Sequence, residues 1–457
     1  MSGATSFYSK ARGTEEIAQR FADLHPPLNE TAAVTEALRC LYCFNAPCMG
    51  ACPTHIDVPK FIKKIASGNL EGSARTILEA NILGASCARA CPVQVLCEGA
   101  CVMHYDNQQP IAIGRLQRFA MDALHASGGS LPFSPCDLSG SETGKRVALI
   151  GAGPASLACA AELRRRGVRA AIFDARPLPG GLNTYGIAEY KLPLAESLRE
   201  IDLLAQLGVE FHFDTTVDAA MLAELEAGYD AIFLGVGLGG VQKLGVVGED
   251  LPGAISALEF IAAYKCGELR EVPDRVAVIG AGNTATDAAI AAVRLGAREV
   301  HMVYRRGSEQ MSAFAFEYEH AREMGVGFLW HVMPVRVIGD GKVEALELVQ
   351  LETREDGSLA PRDGQHVLLE VDLVIKAIGQ TMQAEFVKEV QGGEPARVQL
   401  EKGRILVDRE TGQTSNPKYF AGGDCTNGGR EVVDAVADGR RAGVGMAAWL
   451  GGHHGNA

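Results

Sequence analysis

The chain has 457 residues, a formal net charge of −13 and a hydrophobic fraction of 47%. This length supports two or three domains with separate cores. An acidic chain repels phosphate backbones, which argues against nucleic acid as a partner. The sequence shows no signal-peptide pattern and no apolar run of about 18 residues, so we expect a cytoplasmic protein that does not cross a membrane.

The front of the chain shows helical periodicity. Ile17, Phe21 and Leu24 are spaced as one helical face, which predicts a helix that packs on its own domain or, alternatively, docks on a partner. Asp57 is a suitable N-cap for a helix that ends near Gly68. No strand pattern precedes residue 145. Residues 1–140 are therefore predicted to form a mainly helical domain, followed by a linker rich in Ser, Pro and Gly.

Cysteines are concentrated in this front part. Of the twelve cysteines in the chain, the eight between residues 40 and 101 are Cys40, Cys43, Cys48, Cys52, Cys87, Cys91, Cys97 and Cys101. Cys52 and Cys91 are each followed by proline, as in ferredoxin-type cluster motifs. In a reducing compartment such a group favours metal binding over disulfides. The pattern predicts two [4Fe-4S] clusters, with zinc or unligated buried thiols as alternatives.

The first nucleotide-binding signature follows the linker. The apolar segment 146–150 leads into Gly151-x-Gly153-x-x-Ser156, and the next strand ends at Asp174. Gly151 permits a tight turn, and Gly153 permits close approach of a pyrophosphate to a helix N-terminus. A carboxylate about 20 residues later is placed to bind ribose hydroxyls. These features predict a site for FAD.

A second glycine-rich segment lies near the C-terminus. Residues 419–424 read as a short strand that runs into two glycines and Asp424. This arrangement is suited to a flavin ribityl chain, with backbone amides facing the phosphates. A surface turn capped by Asp424 is the alternative interpretation.

The second nucleotide-binding signature is Gly280-x-Gly282-x-x-Ala285, again after an apolar strand. The strand that follows it ends at Arg305 and Arg306 instead of an acid. Arginine at this point matches a 2′-phosphate and favours NADP over NAD. An ordinary solvated basic pair is the alternative.

With these motifs in place, the chain resembles a known family. It is similar to the small subunit of glutamate synthase and, more closely, to the N-terminal half of dihydropyrimidine dehydrogenase and its bacterial reductase subunits. The segments that carry the resemblance are residues 40–43, 46–48, 51–57, 81–84 and 113–117.

The resemblance implies a ligand set for each cluster. The first cluster would use Cys40, Cys43, Cys48 and Cys101, and the second Cys52, Cys91 and Cys97 with Gln117 as an oxygen ligand. Cys87 would then be a thiol that binds no iron. Spacing alone makes Cys87 the eighth ligand, so Cys87 is the substitute if Gln117 does not bind.

The resemblance also completes the nucleotide sites. The residues expected at FAD are Gly151, Gly153, Ala155, Ser156, Asp174, Gly181, Leu182, Gly423, Asp424, Glu431, Val432 and Val433. Those expected at NAD(P) are Gly280, Gly282, Asn283, Thr284, Ala285, Arg305, Arg306 and Gly379. No side chain is assigned as a catalytic acid or base, because the cofactors carry the chemistry.

The implied architecture is α/β, with the helical iron–sulfur domain followed by Rossmann-type domains. The FAD domain would comprise residues 145–270 and 371–457, and the NAD(P) domain, residues 271–370, would be inserted in it. Residues 230–237 and 372–379 are the expected crossing points.

The implied function is electron input to dihydropyrimidine dehydrogenase. Electrons would pass between NAD(P)H, FAD and two [4Fe-4S] clusters, and on to a partner subunit with FMN and iron–sulfur centres that reduces uracil or thymine. That partner is expected because no FMN-binding barrel follows residue 450. The alternatives are a glutamate synthase small subunit serving a large amidotransferase subunit, and an iron–sulfur redox sensor without turnover. Disulfide reduction is disfavoured because Cys159, Cys266 and Cys425 are isolated singles.

Overall fold

The computed structural model describes residues 6–7, 15–392 and 397–452. Up to residue 126 the described chain is helical. Its elements are α1 (Glu15–Arg20), α2 (Glu30–Leu38), α3 (Pro47–Gly50), α4 (Val58–Ala66), α5 (Leu70–Ala80), α6 (Gly84–Ala90), a 3₁₀ helix (Val102–Asp106) and α7 (Ile113–Ala126). None of the helices in the described ranges is long and apolar enough to cross a bilayer.

Helix α4 shows how local sequence defines these elements. The Asp57 side chain accepts a hydrogen bond from the Lys60 amide, which caps the first turn. Ile62 and Ile65 are fully buried on the inner face. The chain then turns at Gly68, whose φ of 76° favours glycine. Start, buried face and end agree with the sequence pattern.

The nucleotide-binding part alternates strands and helices. In chain order its first elements are β1 (Arg146–Ile150), α8 (Pro154–Arg165), β2 (Arg169–Phe173), α9 (Leu182–Tyr185), α10 (Leu194–Ala205), β3 (Glu210–His212), α11 (Ala219–Gly228) and β4 (Ala231–Leu234). Next come β5 (Gly240–Val241), β6 (Ala254–Ser256), α12 (Ala257–Lys265), β7 (Arg275–Ile279), α13 (Asn283–Arg294), β8 (Glu299–Tyr304), a 3₁₀ helix (Ser308–Gln310), α14 (Ala315–Glu323) and β9 (Gly327–Trp330). The last are β10 (Val332–Ile338), β11 (Ala345–Thr353), β12 (Leu359–Glu370), β13 (Leu373–Lys376), β14 (Gln380–Thr381), α15 (Ala384–Gln391), β15 (Leu400–Glu401), β16 (Arg404–Ile405), β17 (Tyr419–Ala421), α16 (Asp424–Asn427) and α17 (Val432–Gly452).

Two parallel sheets result. The first has the strand order β17-β4-β1-β2-β3, so the chain returns at residues 419–421 to a sheet that it left after β4. The second has the order β6-β13-β7-β8-β9 and carries the antiparallel meander β10-β11-β12. The predicted class, a helical domain followed by Rossmann-type domains with one inserted in the other, is confirmed.

The inserted unit is longer than the range 271–370 expected from the sequence. Strands β6 and β13 pair side by side in the second sheet, and α12 packs in the same core. Strand β6 has only three residues and no glycine-rich turn after it, so the sequence offers little signal for it. The two crossings lie together, because β5 and β14 form an antiparallel pair.

The N-terminal segment packs differently from its expected place. Residues 15–25, here called the N-terminal strap, place Ile17 and Phe21 in the core of the second sheet instead of the helical domain. The Phe21 ring stacks on that of Tyr264 with centroids 4.9 Å apart. Asp23 anchors the strap to the helical domain through Arg118 at 2.7 Å. The expectation that the segment packs on its own domain is therefore wrong, since its apolar face meets an aromatic ring far along the chain.

Gly439 holds the last helix against the first nucleotide-binding turn. A Cβ added there would lie well inside van der Waals distance of the Ala155 carbonyl oxygen, where α17 packs on α8. We expect Gly439→Ala to lower the free energy of unfolding by about 1–3 kcal/mol through overpacking, and to weaken FAD retention. Thermal unfolding and bound flavin measure both effects.

Gly451→Ala is the matched control, because it lies in the same helix with no atom within 4 Å of its added Cβ. It should leave both quantities nearly unchanged. A Gly439→Ala protein as stable as the parent would contradict the proposed close contact.

Candidate functional site

A cavity of about 780 Å³ lies where the three parts of the chain meet. Its walls include the first glycine turn, the start of α13 and the loop that follows α6. Residues from all three parts that line it include Gly153, Asn283 and Cys91. A volume of this size suits a large cofactor together with part of a second one.

The first glycine turn forms an anion-binding end. Gly151 has a φ of 91°, and a Cβ there would lie 2.6 Å from the Gly235 carbonyl oxygen. A Cβ at Gly153 would meet only that oxygen, at 3.8 Å, so its face is open towards the cavity. Gly153 also starts α8 without any side-chain cap, which leaves backbone N–H groups for a pyrophosphate.

Asp174 stands at the end of β2 beside this turn and lines the cavity. Its carboxylate accepts hydrogen bonds from the amides of Ala152, at 2.6 Å, and Arg176, at 2.8 Å. Burial raises the pKa of Asp174 above its ordinary value, and these two amides oppose the rise. The carboxylate is thus held rigidly at the position from which an acid of this fold meets a ribose.

Most, but not all, of the residues expected at FAD line the cavity. Those that do are Gly151, Gly153, Ala155, Asp174, Gly181, Leu182, Gly423, Asp424, Glu431 and Val432. Ser156 is fully buried and faces Gly235, where it allows α8 to approach β4. Val433 is buried in the core of the helical and FAD parts. Both side chains lie behind the cavity wall and support it from the core side.

The second glycine turn contributes fewer of its expected residues to the cavity wall than the first. Of the residues expected at NAD(P), Asn283 and Thr284 line it, whereas Gly280, Gly282, Ala285, Arg305, Arg306 and Gly379 do not. Gly280 has a φ of 136° and adjoins the Ala377 carbonyl, which explains the need for glycine. Arg305 and Arg306 are exposed at the end of β8, outside the cavity wall. Both side chains face solvent.

A buried group of ion pairs lies between the two sheets and was not predicted from the sequence. Lys191 Nζ lies 2.7 Å from Asp287 Oδ1 and 2.5 Å from Glu317 Oε1, and the Tyr190 hydroxyl donates to Asp287 at 2.6 Å. Burial raises the pKa of Glu317 to about 7, while Lys191 opposes the rise. The one local signal is Asp287 itself, an acid inside the alanine-rich helix α13. This group joins the loop before α10 to α13 and α14.

Four of the cysteines form a first group in the helical domain. Cys40, Cys43, Cys48 and Cys101 line one small apolar cavity, together with side chains of α4. Burial raises the pKa of Cys48 to about 12, and the thiols of Cys40 and Cys101 add to the rise. Burial and the neighbouring thiols disfavour the Cys48 thiolate, and a cationic metal centre reverses that preference. The donor set and its apolar wall therefore fit an iron–sulfur cluster.

One member of the second group, Cys91, lines the large cavity. The pKa of Cys91 is raised first by a hydrogen bond with the Cys87 thiol, then by burial and by Cys97 and Cys52. These four thiols are therefore close to one another. Gln117 is buried beside α6, and its Nε2 donates to the Gly84 carbonyl at 2.7 Å. Within the described residues, no three His, Cys, Asp or Glu side chains converge tightly enough for a single metal ion.

Comparison with known families matches both parts. A family model described as pyridine nucleotide-disulphide oxidoreductase matches residues 145–439, and one described as dihydropyrimidine dehydrogenase domain II, 4Fe-4S cluster, matches residues 17–128. The chain is therefore an iron–sulfur flavoprotein of the pyridine nucleotide-disulphide oxidoreductase family, with FAD and NAD(P) as cofactors. Its relatives include the glutamate synthase small chains. It is 37% identical to the glutamate synthase [NADPH] small chain of Escherichia coli, over 94% of both chains.

Other relatives vary in length. The glutamate synthase [NADPH] small chain of Halomonas elongata is 36% identical, over 95% of this chain and 94% of its own. The NADP(+)-dependent formate dehydrogenase subunit beta of Moorella thermoacetica is 35% identical, over 89% of this chain and 60% of its own.

Solved structures share the nucleotide-binding fold at lower identity. FprA of Mycobacterium tuberculosis in complex with NADPH superposes with a TM-score of 0.54 at 20% identity, over 68% of this chain and 85% of its own. Thioredoxin reductase of T. acidophilum superposes with a TM-score of 0.52 at 21% identity, over 66% of this chain and 97% of its own.

Cys159 and Cys425 are free thiols that contact Met446 and Leu234, not each other.

Proposed function

We propose that this chain is the electron-input subunit of a glutamate synthase, taking electrons from NADPH and passing them to a large amidotransferase subunit. The observation that carries the proposal is the similarity to glutamate synthase [NADPH] small chains along 94% of both chains. The single cavity shared by the FAD turn, the start of α13 and the Cys91 loop supports an electron path through the subunit.

A dihydropyrimidine dehydrogenase subunit is the second candidate. It is favoured by the family model that matches residues 17–128 and by the resemblance of residues 51–57. In that case the partner would carry FMN and iron–sulfur centres and reduce uracil or thymine. The input half of the path is the same for both candidates.

In either case the residues of the chain bind and orient the cofactors. FAD, when bound, supplies the exchange between two-electron hydride chemistry and single-electron transfer. The amides at Gly153 would hold its pyrophosphate, Asp174 its ribose, and Asp424 the chain near the flavin ring. The start of α13, at Asn283 and Thr284, would receive the nicotinamide dinucleotide.

For the clusters we propose the ligand sets given by the resemblance. Cys40, Cys43, Cys48 and Cys101 would bind the first, which their shared cavity supports. Cys52, Cys91 and Cys97 would bind the second, with Gln117 as the fourth ligand. The hydrogen bond from Gln117 Nε2 to Gly84 supports this role, since it fixes the amide plane. Cys87, next to Cys91, is the substitute.

An exposed apolar patch beside the first cysteine group supports a place for electrons to leave. Leu41 and Phe44, which flank Cys43, have relative exposures of 61% and 99%. Large exposed apolar side chains next to a redox centre are typical of a docking surface. We propose that the partner subunit covers this patch.

Copurification of the native complex from its source tests the proposal. We expect a large amidotransferase subunit, and NADPH-dependent formation of glutamate from glutamine and 2-oxoglutarate. Reduction of uracil by the complex, without glutamate formation, would instead establish the second candidate. If the isolated chain does not reduce a dye with NADPH, the remaining interpretation is a redox sensor without turnover.

We expect Arg305→Ala/Arg306→Ala to lower kcat/KM for NADPH by about 10–100-fold and to leave that for NADH nearly unchanged. The reason is the loss of charge-assisted hydrogen bonds to a 2′-phosphate, worth about 1.5–3 kcal/mol. Dye-reduction kinetics with both nucleotides measure the effect. Arg298→Ala is the control, because Arg298 is an exposed arginine near β8 that pairs with Asp274. Equal losses with NADPH and NADH would refute the 2′-phosphate contact.

A further inference from the structure

Helix α6 is held from outside by a carboxylate of the FAD domain. Glu200, on α10, is only 1% exposed. Its Oε1 accepts a hydrogen bond from the Ala85 amide at 2.6 Å, and its Oε2 accepts one from the Ser86 amide at 3.1 Å. The Ser86 hydroxyl donates to the same carboxylate. One buried side chain thus satisfies the first turn of a helix that belongs to the other domain.

Helix α6 has no cap of its own. Leu83 stands at the N-cap position and offers no side-chain hydrogen bond. The first N–H groups of a helix need partners, and buried ones left without them destabilise the fold. Glu200 is therefore the residue that allows α6 to begin at this buried position.

A second contact from α10 holds the other end of α6. Arg89 Nη2 lies 3.3 Å from Glu196 Oε2 and 2.8 Å from Asp122 Oδ1 of α7. Glu196 and Glu200 are one turn apart on α10, so they face the same neighbour. Burial raises the pKa of Glu200 to about 7, whereas Ser86, Ala85 and Arg89 favour its ionised form. The hydrogen bonds from α6 therefore offset part of the cost of burying this carboxylate.

The position of α6 matters because this helix contains or adjoins two cysteines of the second group. The helix contains Cys87 and ends at Cys91, both of the second cysteine group. Residues 88–94 line the same cavity as the first glycine turn. The position of α6 therefore sets how the second cysteine group faces the flavin site.

We propose that Glu200 is a positioning residue for internal electron transfer: it fixes α6 so that the second iron–sulfur cluster receives electrons from the flavin. The electrons are the two that NADPH gives up as a hydride. One electron reduces each oxidised cluster, NADP⁺ is formed, and one proton passes to water. The proposal requires the iron–sulfur flavoprotein class but no particular partner.

The test compares two successive steps in anaerobic stopped-flow mixing of the FAD- and cluster-loaded protein with NADPH. Glu200→Ala should leave flavin reduction within about twofold of the parent, the change expected for a site with no contact to that step. It should slow cluster reduction, followed by visible absorbance and electron paramagnetic resonance, by about tenfold or more, since the aligned geometry is lost. Glu200→Gln, which keeps one acceptor, should fall between the two.

Hydrogen exchange of the oxidised protein without NADPH provides a readout independent of turnover. Amides of residues 84–90 should exchange about tenfold or more faster in Glu200→Ala, because the three hydrogen bonds that the carboxylate accepts from Ala85 and Ser86 are lost. Glu249→Gln is the matched control. Glu249 is also a buried glutamate that accepts two backbone N–H bonds, from Leu244 and Gly245, but it lies in the inserted unit.

Three results would overturn the proposal. The first is cluster reduction at the parental rate in Glu200→Ala, whether or not exchange in α6 increases. The second is a parallel loss of flavin reduction and cluster reduction, which would show a merely structural role. The third is a slowing of cluster reduction in Glu249→Gln that is as large as the slowing in Glu200→Gln. If Glu200→Ala fails to retain FAD, Glu200→Gln is judged by the same criteria. Since no partner enters the measurement, a wrong partner assignment leaves these outcomes unaffected.

Discussion

Cys48→Ser is expected to stop electron export while NADPH still reduces the flavin. Cys48 belongs to the first cysteine group, in a cavity separate from the flavin site, so its loss should not disturb FAD. We expect reduction of the partner subunit to fall by more than about 100-fold, since even an outer-shell partner of a metal site contributes 10–100-fold. Iron, acid-labile sulfide and the rates of both steps measure the outcome.

Cys266→Ser provides the control for thiol loss itself. Cys266 follows α12 in the inserted unit and is a free, partly buried thiol. It should retain the full iron content and the full transfer rate. A Cys48→Ser protein that lacks the first cluster but still delivers electrons to its partner would rule out this route.

Gly153→Val is expected to abolish FAD binding without unfolding the chain. An added side chain at Gly153 has room, since the nearest atom to its Cβ is 3.8 Å away, but it would occupy the space that a pyrophosphate needs. We expect FAD affinity to fall by at least about 100-fold, from the loss of several charge-assisted hydrogen bonds of about 1.5–3 kcal/mol each. Flavin content after gel filtration and circular dichroism give the two readouts.

Gly151→Ala is the comparison variant: it damages the turn itself, whereas Gly153→Val only blocks the site. Its φ of 91° and the Gly235 oxygen, 2.6 Å from the added Cβ, leave no room for a side chain. This variant should lose both flavin and stability. Should Gly153→Val retain FAD at parental affinity, the assignment of the first turn to the flavin would be wrong.

The sequence predicts well what depends on short segments. The turns at Gly151 and Gly280 are local, because a positive φ next to a strand end demands glycine wherever the rest of the chain lies. The cysteine groups are nearly local as well, since each draws most of its thiols from one short stretch. The cap of α4 at Asp57 is fixed within four residues.

The sequence predicts poorly what depends on which face of an element is turned inward. Ser156 and Val433 are next to cavity residues in the chain, yet each points into the core. A glycine motif gives the position of the turn but not the rotation of the helix that follows it. Whether a neighbouring side chain reaches the cofactor is decided by packing across the sheet.

Buried polar contacts between distant segments could not be predicted. Lys191 meets Glu317 across 126 residues, and Glu200 meets Ser86 across 114. Nothing in the local sequence around any of these residues marks its partner. Such buried charges are informative only once the fold brings both ends together, because each alone reads as an ordinary surface residue.

The N-terminal strap makes the front domain unsuitable as an interchangeable module. Phe21 packs on Tyr264 of the inserted unit, and Asp23 forms an ion pair with Arg118 of the helical domain. The strap therefore joins these two domains. A chimera that grafts only residues 30–140 onto another reductase would lose the ion pair of Arg118 with Asp23 and keep only the one with Asp122. Transplants of this electron-input unit therefore need to include the strap and the surface that it covers.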